Sequence, residues 1–119
     1  MGDRLFYMVY TNPLEGREEA YDEWYEKFHI PEILSVPGMI SAQRTQLKVT
    51  ETGRAGGFSP ETHRFCVVYE MDGDPDEIMT VIREKSMSGE FHPSVDVDPA
   101  SVQMSWWTQV GDKQLAPDR

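Results

Sequence analysis

Two short runs, RLFYMVY at residues 4–10 and HRFCVVYEM at residues 63–71, carry apolar side chains on both of their alternating faces. In the first, Leu5, Tyr7 and Val9 point one way, and Phe6, Met8 and Tyr10 point the other. Successive strand residues face opposite sides of a sheet, so a run with two apolar faces belongs where both sides are covered. At 119 residues the chain fits one domain, large enough to bury roughly two thirds of the surface of its unfolded form. The question is what covers the second face.

The remaining segments supply one layer of helices. NPLEG breaks the first strand, and from Arg17 to His29 the residues Ala20, Tyr21, Trp24, Tyr25 and Phe28 share one arc of a helical wheel, with acidic residues concentrated near the start. Pro31 and Pro37-Gly38 are expected to end this helix, with a short extra turn through PEIL. MISAQRTQLKVT, residues 39–50, reads as a long strand with Arg44, Gln46 and Lys48 on one side. ETGRAGGFSPET, residues 51–62, reads as a flexible hairpin loop and a candidate lid. In DGDPDEIMTVIREKS, Asp74 is the expected cap, Pro75 the first helical residue, and Ile78, Met79, Val81 and Ile82 the apolar side. GEFHPSVDVDPA is irregular, and SVQMSWWTQV alternates as a last strand.

The order βαββαβ predicts an α+β, ferredoxin-like domain over residues 4–110, with a tail at 111–119. Two helices cover one face of a four-stranded antiparallel sheet. A second copy covering the other face resolves the two-sided apolar strands, and two such sheets face to face make a dimeric α/β barrel, hence an expected homodimer.

Composition narrows the function. No segment approaches the roughly 20 apolar residues of a membrane span, the first residues lack the pattern of a signal peptide, and Phe6 stands where a myristoylation signal needs Ser or Thr. A net charge of −10 repels nucleic acid and anionic membranes. A cytoplasmic location is expected, with Cys66 a small buried hydrophobe. Dinucleotide, P-loop, HExxH and GxSxG motifs are absent.

Trp24, then His29, then Pro31 after one intervening residue, then Pro37-Gly38 leading into the second strand, resemble the EthD-type branch of the dimeric α+β barrel superfamily. The resemblance spans residues 4–110. It implies the topology above and a pocket for a small molecule. Relatives include polyketide cyclases, lactone isomerases, cofactor-free monooxygenases, haem-handling enzymes and barrels without an assigned reaction. The motif histidine it carries over is His29, while Glu32 stands where EthD-like sequences are usually aliphatic.

His29 lies about 40° beyond Tyr25 on the wheel, at the border of the apolar arc. There it is either a cap for the helix end or a general acid/base at the mouth of an apolar cavity, since an imidazole exchanges protons near neutral pH. Around it, Tyr25 or Tyr7 is the expected donor to an oxygen that gains negative charge, and Trp24, Tyr69 and Trp106 are expected to shape the cavity. Arg44 is either a solvated strand-end cation or a fork for a carboxylate or enolate. His92, on the irregular 88–100 segment, is placed to close over a ligand. His92, Asp96 and Asp98 have no recognised metal spacing, and His63 reads as incidental. The expectation is a lyase, isomerase or cyclase without metal or organic cofactor, acting on an aromatic or hydrophobic carbonyl metabolite. A cofactor-free monooxygenase and a non-catalytic binding barrel are the alternatives.

Overall fold

The computed structural model describes residues 4–56 and 62–118. Four strands, β1 (Arg4–Thr11), β2 (Met39–Gln46), β3 (Phe65–Asp72) and β4 (Gln103–Thr108), form one antiparallel sheet in the order β2-β3-β1-β4. Helices α1 (Glu18–Trp24), α2 (Ile30–Leu34) and α4 (Pro75–Met87) pack on one face of it, giving the expected ferredoxin-like α+β architecture. The pattern of the sequence explains the sidedness. Leu5, Tyr7, Val9 and Thr11 of β1 and Val67, Tyr69 and Met71 of β3 are buried against Tyr21, Tyr25, Ile33, Ile78 and Ile82 of the helices. Phe6, Met8, Tyr10, Cys66 and Val68 on the opposite face are half-buried.

Three elements depart from the sequence-based expectation. Pro31 does not end the first helix: α1 runs through a π-helical turn at Tyr25–His29 directly into α2. The Ile30 N–H donates to the carbonyl of Tyr25, five residues back. This wider turn accommodates the proline ring, and Pro31 then occupies the first turn of α2, where no N–H is needed. Strand β2 stops at Gln46 rather than Thr50. The segment after it is not only loop, because Thr50 caps a short helix α3 (Glu51–Ala55) by accepting from the Gly53 N–H at 3.0 Å. Residues 57–61 of the expected lid lie outside the described residues.

The second helix follows its sequence signals. Asp74 accepts from the Asp76 N–H, Pro75 opens α4, and Ile78 and Ile82 are buried. Gly38 explains how α4 seats against the corner between α2 and β2. Its φ is +99°, and a Cβ there would stand 2.6 Å from Ile78 Cδ1. Only glycine permits both the backbone angle and that close approach.

The irregular segment before β4 is tied down rather than free. Val97 bridges to Pro13, the Leu14 N–H donates to the Asp96 carbonyl, and the Asp98 N–H donates to the Asn12 carbonyl. Asp96 is buried with its carboxylate on Arg17 at 2.8 Å, and Asp98 caps the turn Pro99–Ser101. Residues 109–118 are exposed and lack regular structure.

Candidate functional site

Helix α1 and the π turn bring Trp24, Tyr25 and His29 together. On an α-helix, residues five apart lie about 140° apart around the axis and do not meet. The π turn removes most of that angle. The His29 ring stacks on Trp24 at 4.2 Å with an interplanar angle of 17°, and meets the Tyr25 ring edge-on at 5.4 Å. Among the described residues its ring nitrogens have no hydrogen-bond partner. Burial lowers its pKa from 6.5 to about 4, and the nearby Glu32 carboxylate offsets part of that. The imidazole is therefore neutral at pH 7, with one basic nitrogen and one N–H.

Below the helix, one rung crosses the whole sheet: Ala42, Tyr69, Tyr7 and Trp106 are register partners on β2, β3, β1 and β4. Tyr7 stacks on Tyr69 at 5.4 Å and on Trp106 at 5.1 Å. Its hydroxyl donates to the sulfur of Met104 at 3.2 Å, a weak acceptor. The Tyr69 hydroxyl is buried without a partner among the described residues. Burial pushes the pKa of both phenols well above 10, so they stay protonated. At the sheet edge, Met104 and Trp106 are each 44% exposed, so no helix seals that side of the rung.

Tyr25 is differently placed. Its hydroxyl is bonded to Thr11 Oγ1 at 3.1 Å, and Tyr21 shares the same Thr11 oxygen at 2.5 Å. It is therefore not the free oxygen-binding donor expected from its helix position. Arg44 lies 5.0 Å over the Tyr25 ring, with its two terminal nitrogens on Asp22 at 2.6 Å and Glu26 at 3.0 Å. Burial opposes its charge, but these two carboxylates outweigh that and hold its pKa above the ordinary value. The fork expected for a substrate carboxylate is already filled.

His92 acts as a fastener. Its N–H and Nδ1 both engage Glu32, at 3.1 and 2.8 Å, its ring stacks on Phe28 at 4.0 Å, and its carbonyl accepts from Trp24 Nε1 at 3.2 Å. The 88–98 segment is thus strapped across Trp24, Phe28 and Glu32, one side of the helix that carries His29. Glu32 and Thr11 make bonds here that periodicity did not single out, although the departure at Glu32 was visible as an acid in an aliphatic position.

Two hollows among the described residues lie away from His29: one of about 590 Å³ lined by Glu18, Asp22, Arg44, Arg64 and Phe65 among others, and one of about 160 Å³ beside Tyr10, His63 and Cys66. The rings of Trp24 and Tyr25 pack against His29 instead. Among the described residues no cluster of histidine, cysteine or carboxylate side chains has the arrangement of a metal site, and no helix is long and apolar enough to cross a membrane.

No protein-family model matches the chain, and no curated protein matches it. Among solved structures it is similar to a "putative monooxygenase" from Shewanella loihica PV-4, with a TM-score of 0.60 at 16% identity over 94% of this chain and 99% of that one. At that identity the likeness is one of fold. Both chains are small ferredoxin-like α+β domains over nearly their whole length.

Proposed function

We propose that this chain is an enzyme of the EthD-like branch of the dimeric α+β barrel superfamily, working without a metal or organic cofactor on an aromatic or hydrophobic carbonyl compound. The observation that carries the reading is His29: a neutral imidazole, held between the Trp24 face and the Tyr25 edge, with both nitrogens unengaged among the described residues. A helix cap would bond a terminal carbonyl, and this histidine makes no such bond. His29 takes the proton next to the substrate carbonyl, the resulting enolate oxygen is held by a buried hydroxyl, with Tyr7 in that role, and His29 returns the proton at another position or to a departing hydroxide as water. The products are those of isomerisation, cyclisation or dehydration. Trp24, Tyr69 and Trp106 hold the ring.

Substrate approaches His29 past Trp24, Tyr25 and the strap at His92, which pack around it. Dimerisation belongs to the same proposal. Phe6, Met8, Tyr10 and Val68 form an apolar strip on the face away from the helices, and Trp107, beside Phe6 in register, is 57% exposed. A second copy of the sheet covers that strip. The acidic chain is expected to act in the cytoplasm, away from nucleic acid and membranes.

A second reading, a cofactor-free monooxygenase in which the substrate carbanion meets O₂, is favoured by the fold of the Shewanella protein. Mass-spectrometric turnover of aromatic and polyketide-like carbonyl compounds, by the wild type and His29→Ala, with and without oxygen, separates the readings. Turnover that needs the imidazole but not oxygen supports the lyase or isomerase. Turnover that requires oxygen supports the monooxygenase, and full activity of His29→Ala overturns both. Sedimentation at micromolar concentration tests the dimer, and a monomer there overturns it.

A further inference from the structure

Four tyrosine hydroxyls are buried between the helices and the sheet, and their acceptors are distributed unevenly. Tyr21 and Tyr25 share the Thr11 oxygen. Tyr7 has only the Met104 sulfur, and Tyr69 has nothing among the described residues. An orphaned hydroxyl in a core is destabilising, and native cores rarely keep one without a use. Tyr7 and Tyr69 are register partners on adjacent central strands, with rings 5.4 Å apart and 25° from parallel. Of the four, these two are the phenols whose hydroxyls lack an oxygen acceptor among the described residues, so a ligand oxygen entering beside the stacked rings supplies what both lack.

We propose that Tyr7 and Tyr69 form a two-donor clamp for a single ligand oxygen, and that this oxygen bears the negative charge of an enolate or phenolate. The inference rests on the reading of His29 above and adds Tyr69, whose hydroxyl has no partner among the described residues, to Tyr7, while Tyr25, whose hydroxyl is bonded to Thr11, takes no part. Met104 marks the entry. It sits on edge strand β4, is 44% exposed, and its flexible thioether occupies the Tyr7 hydroxyl until a better acceptor replaces it. Charge on the ligand oxygen follows from the donors, because two protonated phenols in a low-dielectric site strengthen their bonds most to an anion.

The test is binding of p-nitrophenol to the purified protein, followed by its visible absorbance, which separates phenol from phenolate. The wild type is expected to bind the phenolate and to hold it deprotonated below its solution pKa. Tyr69→Phe and Tyr7→Phe are each expected to weaken binding about ten- to a hundredfold, the loss of one hydrogen bond to a charged group. 4-Nitrotoluene, which lacks the oxygen, is expected to bind wild type and both variants alike. Melting temperatures confirm that the variants fold. Equal affinity of wild type and Tyr69→Phe for p-nitrophenol overturns the clamp and leaves His29 chemistry standing, since that is read from turnover of His29→Ala. Binding of neutral phenol only, or a bound water as the sole partner of Tyr69 with no ligand response in either variant, also overturns it. Failure of the wild type to bind p-nitrophenol at all overturns the clamp, while the turnover panel decides the wider reading separately.

Discussion

The interface between the helices and the sheet has two ends that treat polar groups in opposite ways. At one end Thr11, Tyr21, Tyr25 and Arg44 form a closed set in which each hydroxyl has an oxygen partner and the guanidinium has two carboxylates. At the other, His29 and Tyr69 have no partner among the described residues and Tyr7 has only a sulfur. The two ends share Tyr25, which bonds Thr11 on one side and touches the His29 ring on the other. The contrast teaches where stability is supplied and where it is given up. Under the chemistry proposed above, the phenols without an oxygen acceptor and the neutral imidazole are the groups that an anionic intermediate would use.

The largest expected effect is at the unsatisfied end and depends on pH. The unfolded chain protonates His29 at its ordinary pKa of 6.5, whereas the folded chain resists protonation down to about 4. Stability from this group is therefore complete above pH 6.5 and is lost as pH falls toward 4, by roughly 2–3 kcal/mol for a shift of this size in a partly exposed group. Urea unfolding at pH 7 and pH 4.5 should show this drop in the wild type beyond that of His29→Phe, which keeps the ring and cannot titrate. Parallel losses in the two proteins would mean that His29 is solvated. The same shift places the acid limb of kcat/KM near pH 4 rather than 6.5.

Next in size is the satisfied end. Thr11→Val keeps shape and strand preference but removes the oxygen shared by Tyr21 and Tyr25, leaving two buried phenols to bond only each other. It should cost about 2 kcal/mol in chemical denaturation, with little change in ligand affinity. A loss of affinity as large as that of Tyr69→Phe would erase the distinction between the two ends.

How much of this contrast was visible in the sequence depends on the kind of signal each part gives. The strands and their order follow from alternation in RLFYMVY, HRFCVVYEM and SVQMSWWTQV, and α4 follows from Asp74-Pro75 and its apolar spacing. Those signals are local and repeat along the chain. The π turn has no such signal, because a period of 3.6 residues places Trp24 and His29 apart, and only an inserted residue brings them together. Helix α3 was hidden by its five-residue length and by Gly53 within it. Thr11 is a single polar residue at a strand end, and nothing short of the tertiary fold shows that two tyrosines ten and fourteen residues later converge on it. The engagement of Arg44 with Asp22 and Glu26 likewise depends on how the helix crosses β2.

A smaller effect separates the strap from the core. Glu32→Gln keeps an acceptor for the His92 N–H and removes the charge that faces Nδ1. Because the His92 side chain is 54% exposed, the expected cost is below about 1 kcal/mol. Amide exchange at residues 90–95 should quicken while that of β1 and β3 does not. Uniform quickening would show that Glu32 supports the whole fold and not the segment over Trp24 and Phe28.

The smallest expected change is also the sharpest test of the comparison. Tyr69→Phe removes a hydroxyl that is buried and unpaired while leaving the ring on Tyr7, so no bond is lost and one desolvated polar group disappears. Its stability should be unchanged or higher by up to about 1 kcal/mol. Tyr25→Phe removes an equally buried hydroxyl whose partner is present, and should lose about 1 kcal/mol. The pair of variants shares chemistry, burial and ring size, so their difference isolates partnership alone. If Tyr69→Phe were the more damaging of the two in the ligand-free protein, its hydroxyl would have a structural partner, such as a fixed water, and the core would have no unsatisfied end for a ligand to complete.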